Sequence, residues 1–177
     1  RVVKLVNKRI KVIAGTGANS TNEAIWLTKA AEDSGVDAAL SVNPYYNKPT
    51  QGGLVAHYEA IAKATKLPII LYNIPGRSGV NFLPESIAEL LKRTDNISAM
   101  KEASGDITQM MRLIELCGDK LTLLSGDDNL LLPVLSIGGK GVISVLSNVI
   151  PADIKKVVTL YNENKTEESK KLFYKLF

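Results

Sequence analysis

The sequence is poor in the residues that build metal centres and crosslinks. Of its 177 residues, one is cysteine (Cys117) and one is histidine (His57). A single cysteine excludes an internal disulfide and fits a reducing, intracellular compartment, so the cytoplasm is the expected location. Cys117, in MRLIELCGDK, reads as a structural thiol at the apolar end of a helix. One histidine and one cysteine leave no His/Cys ligand set, and no metal is expected. No uninterrupted apolar stretch approaches the ~20 residues of a membrane span, and the opening RVVKLVNKR does not read as a secretory signal. Charge of one sign is also scarce: 22 basic and 18 acidic residues are interspersed, for a net +4. That mixture is the mark of solvated helix faces, and no arginine-rich run interleaved with aromatics marks a nucleic-acid surface. Neither nucleic acid nor membrane is expected as a partner.

What the chain does have is alternation. Short apolar runs recur: KVIAGTG (11–17), DAALSVNP (37–44), LPIILYNIP (67–75), NISAMKEAS (96–104), LTLLSGDD (121–128) and KGVISVLSN (140–148). Each is rich in β-branched residues or leucine and closed by Gly, Pro, Asn, Asp or Ser, the profile of a strand buried on both faces of a parallel sheet. Between them lie helical patterns: TNEAIWLTKAAEDSG, capped near Ser20–Thr21 and stopped at Gly35, then GLVAHYEAIAKATK, PESIAELLKRTD, ITQMMRLIELCGD and NLLLPVLSIGG. Six strand–helix units without a linker predict one α/β domain, as a doubly wound sheet or a (β/α)₈ barrel. In both, ligands sit at the C-terminal ends of the strands, where most of the polar clusters fall.

The ends read as cut. RVVKLVNKR resembles the back half of an amphipathic helix, and ESKKLFYKLF leaves Leu172, Phe173, Leu176 and Phe177 without a partner surface. Six units where a barrel needs eight predict a part of a longer protein.

Five motifs occupy the strand ends. GTGANS (15–20) places two glycines between a strand and a helix, but Ser20 stands where a dinucleotide fingerprint needs its third glycine. Close backbone approach is the better use of those glycines. PYYNKPTQGG (44–53) carries Tyr45 and Tyr46 on a loop bounded by Pro and Gly. LYNIPGRSG (71–79) ends a strand at Tyr72 and sets Arg77 between glycines. A guanidinium there is suited to clamp a carboxylate, with a solvated loop arginine as the plainer alternative. SGDD (125–128) reads as a cap for the next helix rather than a metal site. ISAMKEASG (97–105) brings Lys101 to the end of an apolar strand, with Glu102 on the opposite face. An amine at an apolar strand end near another cation tends toward its free form, which attacks carbonyls, and a tyrosine hydroxyl such as that of Tyr72 can move the protons of imine formation. The same amine could carry pyridoxal phosphate, but no phosphate cup accompanies it. A substrate Schiff base is preferred and no cofactor is expected.

The series GTGAN, PYYNKPTQGG, YNIPGRSG, MKEASGD, LLSGDD and GVISVLSN closely resembles the 4-hydroxy-tetrahydrodipicolinate synthase (dihydrodipicolinate synthase) family of pyruvate-dependent class I aldolases. The resemblance covers essentially the whole chain. It implies a (β/α)₈ TIM barrel, here strands three to eight only. Residues 1–177 would then be a single partial barrel, with the first two βα units and the C-terminal helical region missing, and with them the relay threonine of the GTTGE-type loop. The resemblance also implies condensation of pyruvate with L-aspartate 4-semialdehyde on the route to diaminopimelate and lysine, in a homodimer or homotetramer. By it Lys101 is the Schiff-base lysine, Tyr72 the proton relay, and Tyr46 a relay tyrosine inserted into the neighbouring subunit's site. Arg77 is the clamp for the aldehyde substrate's carboxylate, and Gly126 and Ile143 line the pyruvate pocket. Asn19, Glu23 and Tyr45 match a lysine-feedback site. N-acetylneuraminate lyase or another pyruvate aldolase remains the alternative, together with an inactive fragment; the lyase does not generally carry an arginine at the position of Arg77.

Overall fold

The computed structural model describes residues 1–177 and contains six strands, β1 (Ile13–Gly15), β2 (Ala38–Val42), β3 (Ile69–Asn73), β4 (Ile97–Glu102), β5 (Thr122–Ser125) and β6 (Gly141–Val142). They form one parallel sheet in chain order. The connections carry helices α1 (Val2–Val6), α2 (Thr21–Asp33), α3 (Gln51–Lys63), α4 (Pro75–Ser78), α5 (Pro84–Leu90), α6 (Ile107–Cys117) and α7 (Leu131–Ser136), and α8 (Pro151–Asn162) and α9 (Thr166–Leu176) close the chain. Consecutive parallel pairing through helical crossovers, without a switch in strand order, is the topology of a TIM barrel, present here as six of its strands.

Alternation along each strand separates the two faces. Outward residues Ala39, Ile69, Leu71, Met100 and Leu123 are almost completely buried beneath the helices. With Leu54, Tyr58, Ile61, Phe82, Ile87, Met110 and Leu113, all of these but Ala39 form the main core; Ala39 packs with Ala31 and Leu67. The Tyr58 and Phe82 rings stack at 5.5 Å within it. The inward face has only a small cluster of Ala38, Ile70 and Ala99 with Leu40 against it. The helices start where their caps dictate: Ser20, Thr50 and Asp106 accept the backbone N–H groups of Glu23, Gly53 and Gln109. Pro84 and Pro151 open α5 and α8, where a missing N–H is harmless.

Four expectations change. The pattern PESIAELLKRTD is helical only to Leu90, because the chain turns to bring Asn96 under α3. There its amide donates to the carbonyls of Ala62, Thr65 and Leu67 at 3.1–3.2 Å. The run KGVISVLSN pairs only at Gly141–Val142, and Leu146–Asn148 is a 3₁₀ turn. Asp128 does not cap its own helix. Its carboxylate accepts the N–H groups of Val145 and Leu146 at 2.9 and 3.0 Å, tying the β5 loop to the β6 loop. Finally, Phe173 does have a partner surface: it is buried with Leu131, Leu135, Ile154 and Val157, with Leu172 and Leu176 packed alongside. Phe177 stays exposed.

Candidate active site

The register of β3 and β4 decides where the chemistry sits. Tyr72 pairs with Lys101, so both side chains share one rung on the inward face. The Lys101 Nζ lies over the Tyr72 ring, 4.1 Å from its centroid, a distance at which ring and cation attract. Lys101 belongs to none of the ion pairs of the molecule. It is therefore a half-buried amine on an aromatic face with no carboxylate holding its proton. The reading that Glu102 turns away from it holds: Glu102 is on the outer face and 1% exposed.

The β3 strand runs directly into the single turn α4, which ends at Gly79 with φ 73°. The Ser78 hydroxyl lies 3.0 Å from the carbonyls of both Ile74 and Val80 and braces this turn. Arg77 is presented from it with no ion-pair partner of its own. Between Arg77 and the β1 loop lies a pocket of about 470 Å³ lined by Gly15, Gly17, Tyr45, Tyr72 and Arg77 among others. Lys101 is not part of that wall; it meets the pocket through the Tyr72 ring. Gly17 approaches β2 so closely that a Cβ would lie 2.3 Å from the Val42 nitrogen, which accounts for one glycine of GTGANS.

Tyr46 behaves differently from its neighbour. Tyr45 faces the pocket, whereas Tyr46 has φ 74° and is 89% exposed. A bulky residue in the left-handed region is unusual and is held there by its surroundings: the Asn47 N–H donates to the Tyr45 carbonyl, and the Asn47 amide to the Asn19 carbonyl at 3.0 Å. Within this chain the structure does not bring Tyr46 to Tyr72. Asn19 and Tyr45 are thus joined through one loop, and Glu23 is exposed in the first turn of α2. At the other side of the sheet, the Gly126 N–H donates to the Glu102 carbonyl at 2.7 Å, and a Cβ there would lie 2.5 Å from that of Ala103. The Ile143 N–H donates to Ser125 at 2.9 Å and continues the β5–β6 ladder.

The model of the Dihydrodipicolinate synthetase family matches residues 1–177, the whole chain. The chain belongs to that family. The 4-hydroxy-tetrahydrodipicolinate synthase of Thermodesulfovibrio yellowstonii is 55% identical over 174 residues, 98% of this chain and 60% of that protein. The chain thus spans about 60% of the length of the curated relatives it matches. Among solved structures, the 4-hydroxy-tetrahydrodipicolinate synthase of Methylacidiphilum fumariolicum SolV superposes with a TM-score of 0.97 at 48% identity, covering 98% of this chain and 58% of that one. The chloride-inhibited dihydrodipicolinate synthase of Acinetobacter baumannii, complexed with pyruvate, gives 0.94 at 46% identity, with 98% and 60% covered.

In this member of the dihydrodipicolinate synthetase family, sequence reasoning missed a second layer behind the site. Asn43, Asn73 and Glu102 follow the last inward residues of β2, β3 and β4, and all three are buried. The Asn43 amide donates to the Asn73 oxygen at 2.7 Å, and the Asn73 amide donates to both Glu102 oxygens at 3.1 and 3.0 Å. Glu102 also accepts from the Ser104 N–H at 2.7 Å and the Gln109 amide at 3.2 Å. Burial pushes the Glu102 carboxyl above its ordinary range, against those donors, which favour the ionised form. The available signal was three polar residues at outward strand positions, where an apolar residue is the rule. No group of three or more His, Cys, Asp or Glu side chains comes together in the structure.

Proposed function

We propose that Lys101 forms an imine with pyruvate and that the enzyme condenses this adduct with L-aspartate 4-semialdehyde, giving 4-hydroxy-tetrahydrodipicolinate for diaminopimelate and lysine biosynthesis. The observation that carries the reading is the shared rung: an amine without a carboxylate partner, 4.1 Å from the centroid of a tyrosine ring that lines one pocket with Arg77. Family membership and the pyruvate complex of the Acinetobacter baumannii relative support it. The free amine attacks the carbonyl carbon of pyruvate, and loss of water leaves the imine. Loss of a methyl proton gives an enamine whose carbon attacks the aldehyde carbon, while the aldehyde oxygen takes up a proton. The amino group of the added substrate then closes on the imine carbon and releases Lys101.

Tyr72 sits where it can hand protons to and from these steps. Arg77 offers the bidentate fork for the semialdehyde's carboxylate. Gly126 and Ile143 flank the pyruvate position, Gly126 by its close approach to β4. Tyr46, exposed and turned out of its own pocket, is the group we assign to a neighbouring subunit's site in a homodimer or homotetramer. Asn19, Glu23 and Tyr45 are the candidate positions for feedback by lysine. No cofactor takes part.

The test is reductive trapping. Pyruvate and borohydride should attach irreversibly to the protein, with peptide mapping placing the adduct on Lys101. Lys101→Ala, and Lys101→Arg, whose guanidinium stays charged, should both abolish it. An unchanged adduct in either variant removes Lys101 from the role.

A further inference from the structure

The outer-face network has a polarity that cannot be reversed, and this gives it a task beyond packing. An amide side chain can usually flip, exchanging donor for acceptor. Asn73 cannot, because its oxygen accepts the backbone N–H of Phe82 at 3.0 Å, and a backbone amide has only one sense. Its nitrogen must therefore face Glu102. Glu102 is fixed in the same way from the other side by the Ser104 N–H. Every partner of the Glu102 side chain is a donor and none is a cation: Asn73, Ser104 and Gln109. A glutamine could not accept from all of them, since half of its head group is itself a donor. The site demands a carboxylate, and burying one without a cation is costly.

The location explains what that cost secures. Tyr72 and Lys101 form one rung facing inward, and Asn73 and Glu102 form the next, facing outward. The network continues from Asn73 through Asn43 to the Tyr58 hydroxyl, 2.8 Å away on α3, and through Asn81 to Gln109 on α6. It thus ties together the ends of β2, β3 and β4, from which the Tyr45–Tyr46 loop, the Arg77 turn and Lys101 all depart.

We propose that Glu102, ionised and acting through Asn73, is a positioning residue for imine chemistry: it fixes the Lys101–Tyr72 rung from the opposite face of the sheet. The inference rests on the imine reading of Lys101. A small misplacement of reacting groups can cost ~10²-fold in rate, so losing the carboxylate should appear in the rate of imine formation before it appears in substrate affinity. A proton on Glu102 would have the same effect, because a protonated carboxyl brings a donor into a ring of donors. No titratable side chain bonds to Glu102; Lys101, next in the chain, faces the other way, and Tyr58 is reached only through two asparagines.

The experiment measures single-turnover trapping of pyruvate by borohydride, kcat, KM and thermal stability across pH. Glu102→Gln should slow trapping and kcat by about 10- to 100-fold, in line with ~10²-fold for misplacement, with the KM for pyruvate changed less than about threefold. Gln109→Met provides a second variant, on a half-buried helical position, and it leaves the Glu102 carboxylate in place. Removing one donor raises the carboxyl further, so its acid limb of kcat should move to higher pH. A wild-type protein that traps no pyruvate overturns both the imine reading and this one. A wild type that traps while Glu102→Gln traps at the same rate overturns the positioning role alone. An acid limb unmoved in Gln109→Met, or kcat losses in both variants that follow the loss of folded protein, does the same.

Discussion

The two faces of the sheet are made by the same strands and could hardly differ more. On the outer face β2 to β5 contribute side chains that are sealed by helices, and Asn43, Asn73 and Glu102 are paired there, while the Ser41 hydroxyl is buried without a partner. On the inner face Ile13 is 45% exposed, Leu40 and Leu124 are half-buried, and Lys101 rests on one aromatic ring. The difference teaches where stability and chemistry are kept. The outer face holds the strands in register; the inner face leaves Lys101 and Arg77 without the partners that would quench them. A period of two along each strand is enough to serve both ends.

The contrast breaks most readily by truncation. Leu71, on the outer face of β3, is fully buried, and Leu71→Ala should cost about 2–5 kcal/mol of stability. Leu40, on the inner face of β2, starts half-buried, and Leu40→Ala should cost less than about 2 kcal/mol, below the range for a fully buried leucine. Denaturant titration of both variants checks the pair. Equal costs would mean that the inner face is as well packed as the outer one, and the division of labour would fall.

Much of this division was legible in the sequence, and the reasons are specific. Strand ends and their residues were readable because Tyr72, Arg77 and Lys101 each break a run of apolar residues at its C-terminal side. The facing of Glu102 followed from alternation alone. Its partners did not, because Asn73, Ser104 and Gln109 reach it from three different elements, and only Ser104 and Gln109 are near it in the chain. Asp128 was misread for a similar reason: a local cap and a tie to a backbone 17 residues away use the same residue type. The outward turn of Tyr46 depends on a positive φ that no composition rule assigns to tyrosine.

A smaller effect sharpens the inner-face half of the comparison. Arg77 is exposed, so its loss should leave stability nearly unchanged. Arg77→Ala should instead raise the Michaelis constant for the semialdehyde by about 10- to 100-fold, or roughly 1.4–3 kcal/mol at tenfold per 1.4. Trapping of pyruvate at Lys101 should persist in the same variant. Steady-state kinetics with each substrate varied in turn separates the two, and equal loss for both substrates would argue against a clamp.

The smallest effect lies in the outer layer, and it tests whether that layer is as sealed as the geometry says. His57, on α3, is 5% exposed and packs edge-on against Tyr58 at 5.1 Å. Its Nδ1 is 2.8 Å from the Thr21 hydroxyl on α2, and its Nε2 is buried with no protein partner. A proton added to this ring would place a charge in an apolar setting, with an N–H on the Nε2 side that nothing accepts. Burial accordingly lowers its pKa from 6.5 to about 4. The unfolded chain takes up this proton near pH 6.5 and the folded chain only near 4, so the contribution of neutral His57 is complete above 6.5 and is lost as pH falls toward 4. At pH 5.5, one unit below the unfolded value, the loss should be about 1.4 kcal/mol, one pKa unit's worth. His57→Gln should flatten this part of the stability profile, whatever it does to stability at neutral pH. Because His57 is the only histidine, its imidazole resonances can be followed by NMR without assignment of others. A midpoint near 6.5 in the folded protein would mean that the ring is reached by solvent between α2 and α3, and that the outer layer opens where the structure shows it closed.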